Sequence, residues 1–276
     1  MLNFEYKNNN IYIYNIKNFD LPQTLDCGQA FRWRCLSGEK WCGVADDRYL
    51  ELEKLTQDSI VLYNTTPQEF ETFWKNYFDL QRDYSEIIQK ISSNEILKKA
   101  TKFGSGIRIL NQEPWETLCS FIISQNNNIK RIKGIIERFC ELFGEKIGDY
   151  YAFPTAEVVS KLTLEDLAPI RSGFRAKYII DAANKITSGE VNLKALCDMS
   201  IDDARNELMK IKGVGPKVAD CALLFSHKHI EAFPQDVWIK RAMQSLFGGE
   251  LPQEAKQYAG IVQQYIFFYA RENKIE

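Results

Sequence analysis

The chain has 276 residues, with 35 Lys and Arg against 37 Asp and Glu, for a formal charge of -2. Hydrophobic residues make up 45% and aromatics 13%, enough apolar surface to exclude a disordered chain. No stretch approaches the roughly 18 apolar residues of a membrane span, and the start MLNFEYKNNNIYIY has no basic region followed by an apolar run, so no signal peptide and a soluble, intracellular chain are expected.

The N-terminal part reads as strands. Phe4 to Lys7 and Ile11 to Ile16 flank Asn8-Asn9-Asn10, a hairpin signal. Phe31, Trp33 and Cys35 alternate with Arg32 and Arg34 at period two. Ser37-Gly38 turns the chain into Trp41 to Ala45, Asp46-Asp47 turns it into Tyr49 to Leu55, and Ile60 to Tyr63 is a further short strand. Connections this short predict an antiparallel sheet. The period changes at Pro67, after which Phe70, Phe73, Trp74, Tyr77 and Phe78 share one helical face. Ile129, Ile132, Ile135, Ile136, Phe139, Cys140 and Phe143 form a second stripe, and Ser200-Ile201-Asp202-Asp203 has capping-box spacing. The expected fold is α+β. An N-terminal antiparallel, twisted β-sheet domain with flanking helices spans 1–105, and an all-helical region spans 106–276.

The segment LMKIKGVGPKVADCALL, Leu208 to Leu224, places Gly213-Val214-Gly215 between a helix end and a second helix starting near Pro216. Glycine permits positive φ, and proline suits a first helical turn. This is the pattern of a helix-hairpin-helix, whose turn amides favour an anion such as a DNA phosphate. An ordinary tight helix connection fits the same residues. Lys217 follows, where the helix dipole disfavours a cation by about 0.3–1 kcal/mol. Burial would have to supply most of any larger effect. A neutral lysine amine can attack an electrophilic carbon and form a Schiff base; a phosphate contact or a solvated lysine is the plainer reading. Asp236 precedes a helical run, Val237 to Phe247, as a good N-cap, and a fixed carboxylate there would stabilise positive charge or take up protons.

The seven cysteines include no C-x-x-C pair and none at zinc-ligand spacing from His227 or His229. Their odd number in an intracellular chain argues against disulfides, and most read as small buried apolar residues. No cysteine follows Cys221, which excludes a cluster ligated by C-terminal cysteines.

Together these segments carry a resemblance. The run K-G-V-G-P-K-V-A-D-C followed by P-Q-D-V resembles the helix-hairpin-helix, Gly-Pro-Asp (HhH-GPD) superfamily of DNA base-excision glycosylases. Within it the chain is similar to the 8-oxoguanine DNA glycosylase/AP lyase branch. Leu25 to Trp33 resembles its G-Q-x-F-R-W signature, Phe121 to Arg131 (FIISQNNNIKR) its Asn-rich segment, and Gly173 to Tyr178 its G-Y-R-A-R-Y segment. The matches run in order from Leu25 to about Phe268, nearly the whole chain.

The resemblance implies a catalytic pair, Lys217 as nucleophile and Asp236 as its acidic partner. It implies that Gly28, Cys221, Gln263 and Phe267 recognise the lesion base. Asn126 would fill the gap left by base flipping, Phe174 would wedge beside the orphaned base, and Arg131 and Arg175 would read that base as cytosine. Gly213, Val214 and Gly215 would bind phosphate. It implies double-stranded DNA containing 8-oxoguanine as the partner, a monomer away from any membrane, no cofactor or metal, and a bacterial, nucleoid-associated cytoplasmic setting. Two departures stand out: Phe174 occupies a position usually held by Tyr, and Trp238 one where His is common. The rival readings are another glycosylase of the superfamily, for which Lys217 and the missing cluster cysteines are the discriminators, and a non-catalytic DNA-binding module.

Overall fold

The computed structural model describes residues 2–273. Strands β1 (Asn3–Lys7), β2 (Asn10–Tyr14), β3 (Trp33–Ser37), β4 (Lys40–Ala45), β5 (Arg48–Thr56) and β6 (Ser59–Leu62) form one antiparallel sheet of order β1-β2-β6-β5-β4-β3. Asn8 and Asn9 have φ of 53° and 61°, the left-handed pair that a two-residue hairpin requires and Asn tolerates. Two boundaries shift by two residues from expectation, and others by one. Pairing of the third strand starts at Trp33, opposite Gly43, and β2 stops at Tyr14 because Asn15 turns left-handed at φ 56°.

The aromatic segment after Pro67 is helical but not uniform. Pro67–Glu69 and Lys75–Tyr77 are α-helical, while Phe70–Trp74 between them is a π turn. A π turn inserts extra backbone and re-aims the side chains that follow. Phe70, Trp74, Tyr77 and Phe78 are all buried. Trp33 of the sheet meets Trp74 edge-on at 6.3 Å and donates its indole N–H to Tyr77 Oη at 2.8 Å. Emptying such a position costs about 3–5 kcal/mol, so this cluster is what fastens the sheet to its helices.

The other described helices of eight or more residues are α1 (Tyr84–Ile91), α2 (Glu95–Phe103), α3 (Pro114–Ser124), α4 (Ile129–Phe143), α5 (Ala176–Thr187), α6 (Ile201–Leu208), α7 (Pro216–Ser226), α8 (Val237–Phe247) and α9 (Ala259–Glu272). The α4 stripe is buried at Ile132, Ile135, Ile136, Phe139 and Cys140, with Ile129 and Phe143 half-buried at its ends. Ser200 caps α6 by accepting the Asp203 N–H at 3.2 Å, whereas the reciprocal capping box forms at Thr163 and Asp166.

The chain packs as two compact units, one of Met1–Gly43, Leu50–Asn111 and Ile230–Glu276, the other of Val44–Tyr49 and Gln112–His229. In the first, α9 packs on α8 and α2, with Phe268 and Tyr269 against Phe103. In the second, α7 packs on α3 and α6, and α3 on α4. A cut at 105/106 therefore follows the sequence and not the packing, because the last helices return to the sheet-bearing unit.

Candidate functional site

The hairpin lies in the second unit. After α6 the chain closes a turn in which Val214 N–H donates to Ile211 O at 3.1 Å. Asp181 grips Lys212, accepting its backbone N–H at 2.8 Å with its Nζ at 3.5 Å. Lys212 is thus committed to shaping the turn. Gly213 has φ +78°, a conformation that L side chains rarely adopt. Gly215, the N-cap of α7, is different: its backbone is extended and a Cβ there would meet open space. The fold does not demand glycine at 215, and open space before the first N–H groups of a helix suits an approaching anion.

Lys217 is the second residue of α7, half-buried, with Nζ 5.1 Å from the centroid of the Phe121 ring. Phe121 is buried on α3 and stacks on Phe225 of α7 at 5.3 Å, so the shelf under the amine is fixed by the packing of the two helices. Cys221 is buried one turn further along α7. At the other end of α3, Glu113 caps the helix by accepting the Glu116 N–H at 2.6 Å, and burial pushes its carboxyl up to about 7.

Each asparagine between α3 and α4 has its own task. Asn126 is exposed in the left-handed region at φ 48°. Asn127 donates back to Ile123 O at 3.1 Å, closing α3, and Asn128 accepts the Arg131 N–H at 3.0 Å, opening α4. Arg131 is exposed, but Arg175 is buried. Arg175 donates Nε to Gln125 O at 2.9 Å, Nη1 to Ser172 O at 3.1 Å and Nη2 to Gln125 O and Asn126 O. Burial first, and then the charge of Arg131, lower its pKa from the usual guanidinium value. The structure therefore uses Arg175 to clamp the Asn-rich turn. Phe174 beside it is 52% exposed, a large apolar ring presented to solvent, with the Arg175 guanidinium 4.5 Å from its centroid.

In the first unit Gly28 has φ +93°, which only glycine adopts without strain. Its neighbour Gln29 is buried and ties the turn down, donating Nε2 to Thr24 O at 2.9 Å and Arg108 O at 2.7 Å. Asp236 is half-buried and caps α8, accepting the Ile239 N–H at 2.8 Å, and Trp238 next to it is 50% exposed. Gln263 is buried on α9, where it accepts from the buried Gln264 at 2.7 Å. Phe267 and Phe268 are indistinguishable by sequence, but the structure separates them. Both rings are half-buried with the Arg271 guanidinium nearby, 5.8 Å from Phe267 and 5.4 Å from Phe268, and Phe268 packs on Phe103.

Sequence reasoning passed over Phe121, Tyr178 and Gln264. Phe121 opens the Asn-rich segment and Tyr178 closes the G-F-R-A-K-Y segment, so both lay inside recognised motifs. The signal for Gln264 was a Gln-Gln pair in an otherwise apolar helix.

Residues 11–118 match the model of the 8-oxoguanine DNA glycosylase N-terminal domain, and residues 119–263 that of the HhH-GPD superfamily base excision DNA repair proteins. An N-glycosylase/DNA lyase of Saccharomyces cerevisiae is 35% identical over 80% of this chain and 66% of its own length, so the chain spans just under two thirds of that protein. A probable N-glycosylase/DNA lyase of Methanothermobacter thermautotrophicus is 32% identical over 71% of this chain and 73% of its own. Among solved structures, the Clostridium acetobutylicum 8-oxoguanine glycosylase/lyase in complex with double-stranded DNA containing cytosine opposite 8-oxoG is 40% identical with a TM-score of 0.92, covering 100% of this chain and 99% of that one.

Proposed function

The chain belongs to the HhH-GPD superfamily of base excision DNA repair proteins, with an 8-oxoguanine DNA glycosylase N-terminal domain ahead of that region, and from this premise we propose that it is a bifunctional DNA glycosylase/AP lyase that excises 8-oxoguanine from duplex DNA. The observation that carries the reading is the amine of Lys217, held over the Phe121 ring on the helix that leaves the hairpin turn. An extruded nucleotide is needed because the reactive carbon is unreachable inside a duplex. The lysine nitrogen bonds to C1′ as the C1′–N9 bond breaks, and the purine leaves with the bonding pair and takes up a proton. Ring opening gives a Schiff base; loss of a C2′ proton then expels the 3′ phosphate by β-elimination. Asp236 supports the positive charge on the sugar and carries protons between steps. This chemistry requires neither metal nor cofactor.

Recognition rests on one hydrogen. N7 of 8-oxoguanine carries a proton where guanine has a lone pair, so a fixed carbonyl at Gly28 accepts from the lesion and repels guanine. Gln263 reads the Watson–Crick edge, and Phe267 and Cys221 cover the two faces, with aromatic stacking contributing about 1–3 kcal/mol. Asn126 fills the gap, Phe174 wedges beside the orphaned base, and Gly213 to Gly215 take a backbone phosphate. Arg131 favours cytosine as its reader, and Arg175 supports it by holding the turn that carries Asn126. The partner is duplex DNA bound by a monomer, and the matching setting is the nucleoid in a bacterial cytoplasm. Borohydride reduction in the presence of an 8-oxoguanine:cytosine duplex tests this: the wild type forms a covalent adduct and Lys217→Gln forms none while still binding. An adduct undiminished in Lys217→Gln moves the nucleophile elsewhere, and none in the wild type leaves a DNA-binding module.

A further inference from the structure

Three buried polar side chains connect the Gly28 turn to the last helix within the first unit. Gln264 Nε2 donates to Gln263 Oε1 at 2.7 Å. Gln264 Oε1 faces Cys27 Sγ at 3.6 Å, a thiol that also lies 3.5 Å from Thr24 O and accepts from Gln29 Nε2 at 3.5 Å. Cys27, Gln263 and Gln264 are all at most 5% exposed. Burial pushes the Cys27 thiol up to about 11, so it keeps its single hydrogen, which faces both Gln264 Oε1 and Thr24 O.

The order of donors has a consequence. A side-chain amide has one oxygen and one nitrogen and can be turned either way. Gln264 is itself oriented by the thiol at its oxygen, which leaves its nitrogen to donate. Gln263 must then turn its oxygen toward Gln264 and present N–H groups, with one remaining oxygen lone pair, at its free side. Bonds that run head to tail in a buried site reinforce one another. Among 8-oxopurines, guanine offers an acceptor at O6 and a donor at N1, whereas adenine offers a donor at its 6-amino group and an acceptor at N1. With its nitrogen opposite C6, an amide so turned fits the first edge and opposes the second.

We infer that Gln264, fixed between Cys27 and Gln263, is the positioning residue that sets the direction of the Gln263 amide and so selects an 8-oxopurine with an oxygen at C6 over one with an amino group. The inference rests on the reading of Gln263 as the base-edge reader. It makes the Gly28 turn and the α9 reader one connected unit, since Cys27 and Gln29 flank the glycine on either side.

The test is single-turnover excision from two duplexes, one with 8-oxoguanine and one with 8-oxoadenine. Gln264→Met keeps the volume and removes both polar atoms. It is expected to narrow the ratio of the two rates by about tenfold, the size of one good paired base contact, chiefly by slowing 8-oxoguanine. A purely packing role would slow both substrates together and leave the ratio unchanged, which overturns the inference. Cys27 gives a second handle that leaves α9 untouched: Cys27→Ala narrows the ratio, and Cys27→Ser, which keeps a donor, restores it. A ratio equal to wild type in Cys27→Ala also overturns it. A wild type that excises neither base, or an adduct that survives Lys217→Gln, counts against the proposed function instead.

Discussion

The ring of Tyr178 lies so close under Gly213 that a Cβ on the glycine would sit 2.4 Å from its Cδ2. The same ring meets Phe174 edge-on at 5.9 Å, so one tyrosine supports both the hairpin turn and the exposed Phe174 ring. Gly213→Ala adds a clash to a left-handed backbone that costs about 1–2 kcal/mol for an L residue. It should lower the melting temperature by several degrees and weaken duplex binding by about tenfold or more. Tyr178→Ala should relieve the clash, so the double variant is expected to be less destabilised than the two single losses added together. Strict additivity would show that the ring is not what excludes a side chain at 213.

The proposed reaction gives Asp236 a second duty beside its cap, and a charge-neutral substitution separates the two. Its cap on Ile239 N–H needs only an acceptor, which Asn supplies nearly as well. Asp236→Asn should therefore melt within a degree or two of wild type while excision slows by about a hundredfold or more, the scale of a lost acid–base group. A rate within about threefold of wild type, under roughly 0.7 kcal/mol of barrier, would make the residue a cap alone.

Glu113 ties pH to the helix beneath the amine. Burial raises its carboxyl from the ordinary 4.5 to about 7, so across that window the folded chain binds more protons at this group than the unfolded one. Its contribution is most favourable near and below pH 4.5 and is lost as pH rises toward 7. Glu113→Gln keeps an acceptor for Glu116 N–H and removes the titration. Melting curves from about pH 5 to about pH 8 should show the variant gaining a few degrees on the wild type as pH rises. A constant difference between the two would show that this carboxyl does not titrate there.

The parts legible in the sequence were those set by local chemistry. The Asn8-Asn9 turn, the Asp236 cap and the Gly213–Pro216 hairpin each follow from backbone preferences of the residues involved, and the helix Val237–Phe247 begins and ends as expected. The π turn at Phe70–Trp74 was hidden because its aromatic spacing is also that of an α-helix. The return of α8 and α9 to the first unit is a long-range packing event with no local signature. Arg175 shows the same limit: its segment is recognisable in the sequence, but only the fold shows the side chain turned inward onto the carbonyls of Gln125 and Asn126. Gln264 has no identity in the pattern beyond its neighbour, and its partner Cys27 lies far away in sequence.

That inward turn of Arg175 makes the two arginines behave differently on substitution. Arg131 is exposed with its side chain available to a ligand, so Arg131→Ala should flatten the preference for cytosine opposite the lesion while sparing excision opposite thymine and adenine. A good paired contact discriminates by about 1–3 kcal/mol, and the change is expected in that range. Arg175→Ala instead strands carbonyls of the Asn-rich turn, at about 1–3 kcal/mol for each buried group left unsatisfied, and should lower stability and slow excision opposite all four bases alike. Phe174 keeps the bulk that a wedge needs, so the wild type should prefer cytosine yet act measurably opposite the others. Single-turnover rates from four duplexes differing only in the opposite base, with a melting curve for each variant, separate these outcomes. A four-way ranking unchanged in Arg131→Ala would remove that residue from the readout. A flattened ranking with normal stability in Arg175→Ala would show that its guanidinium leaves the turn to meet DNA.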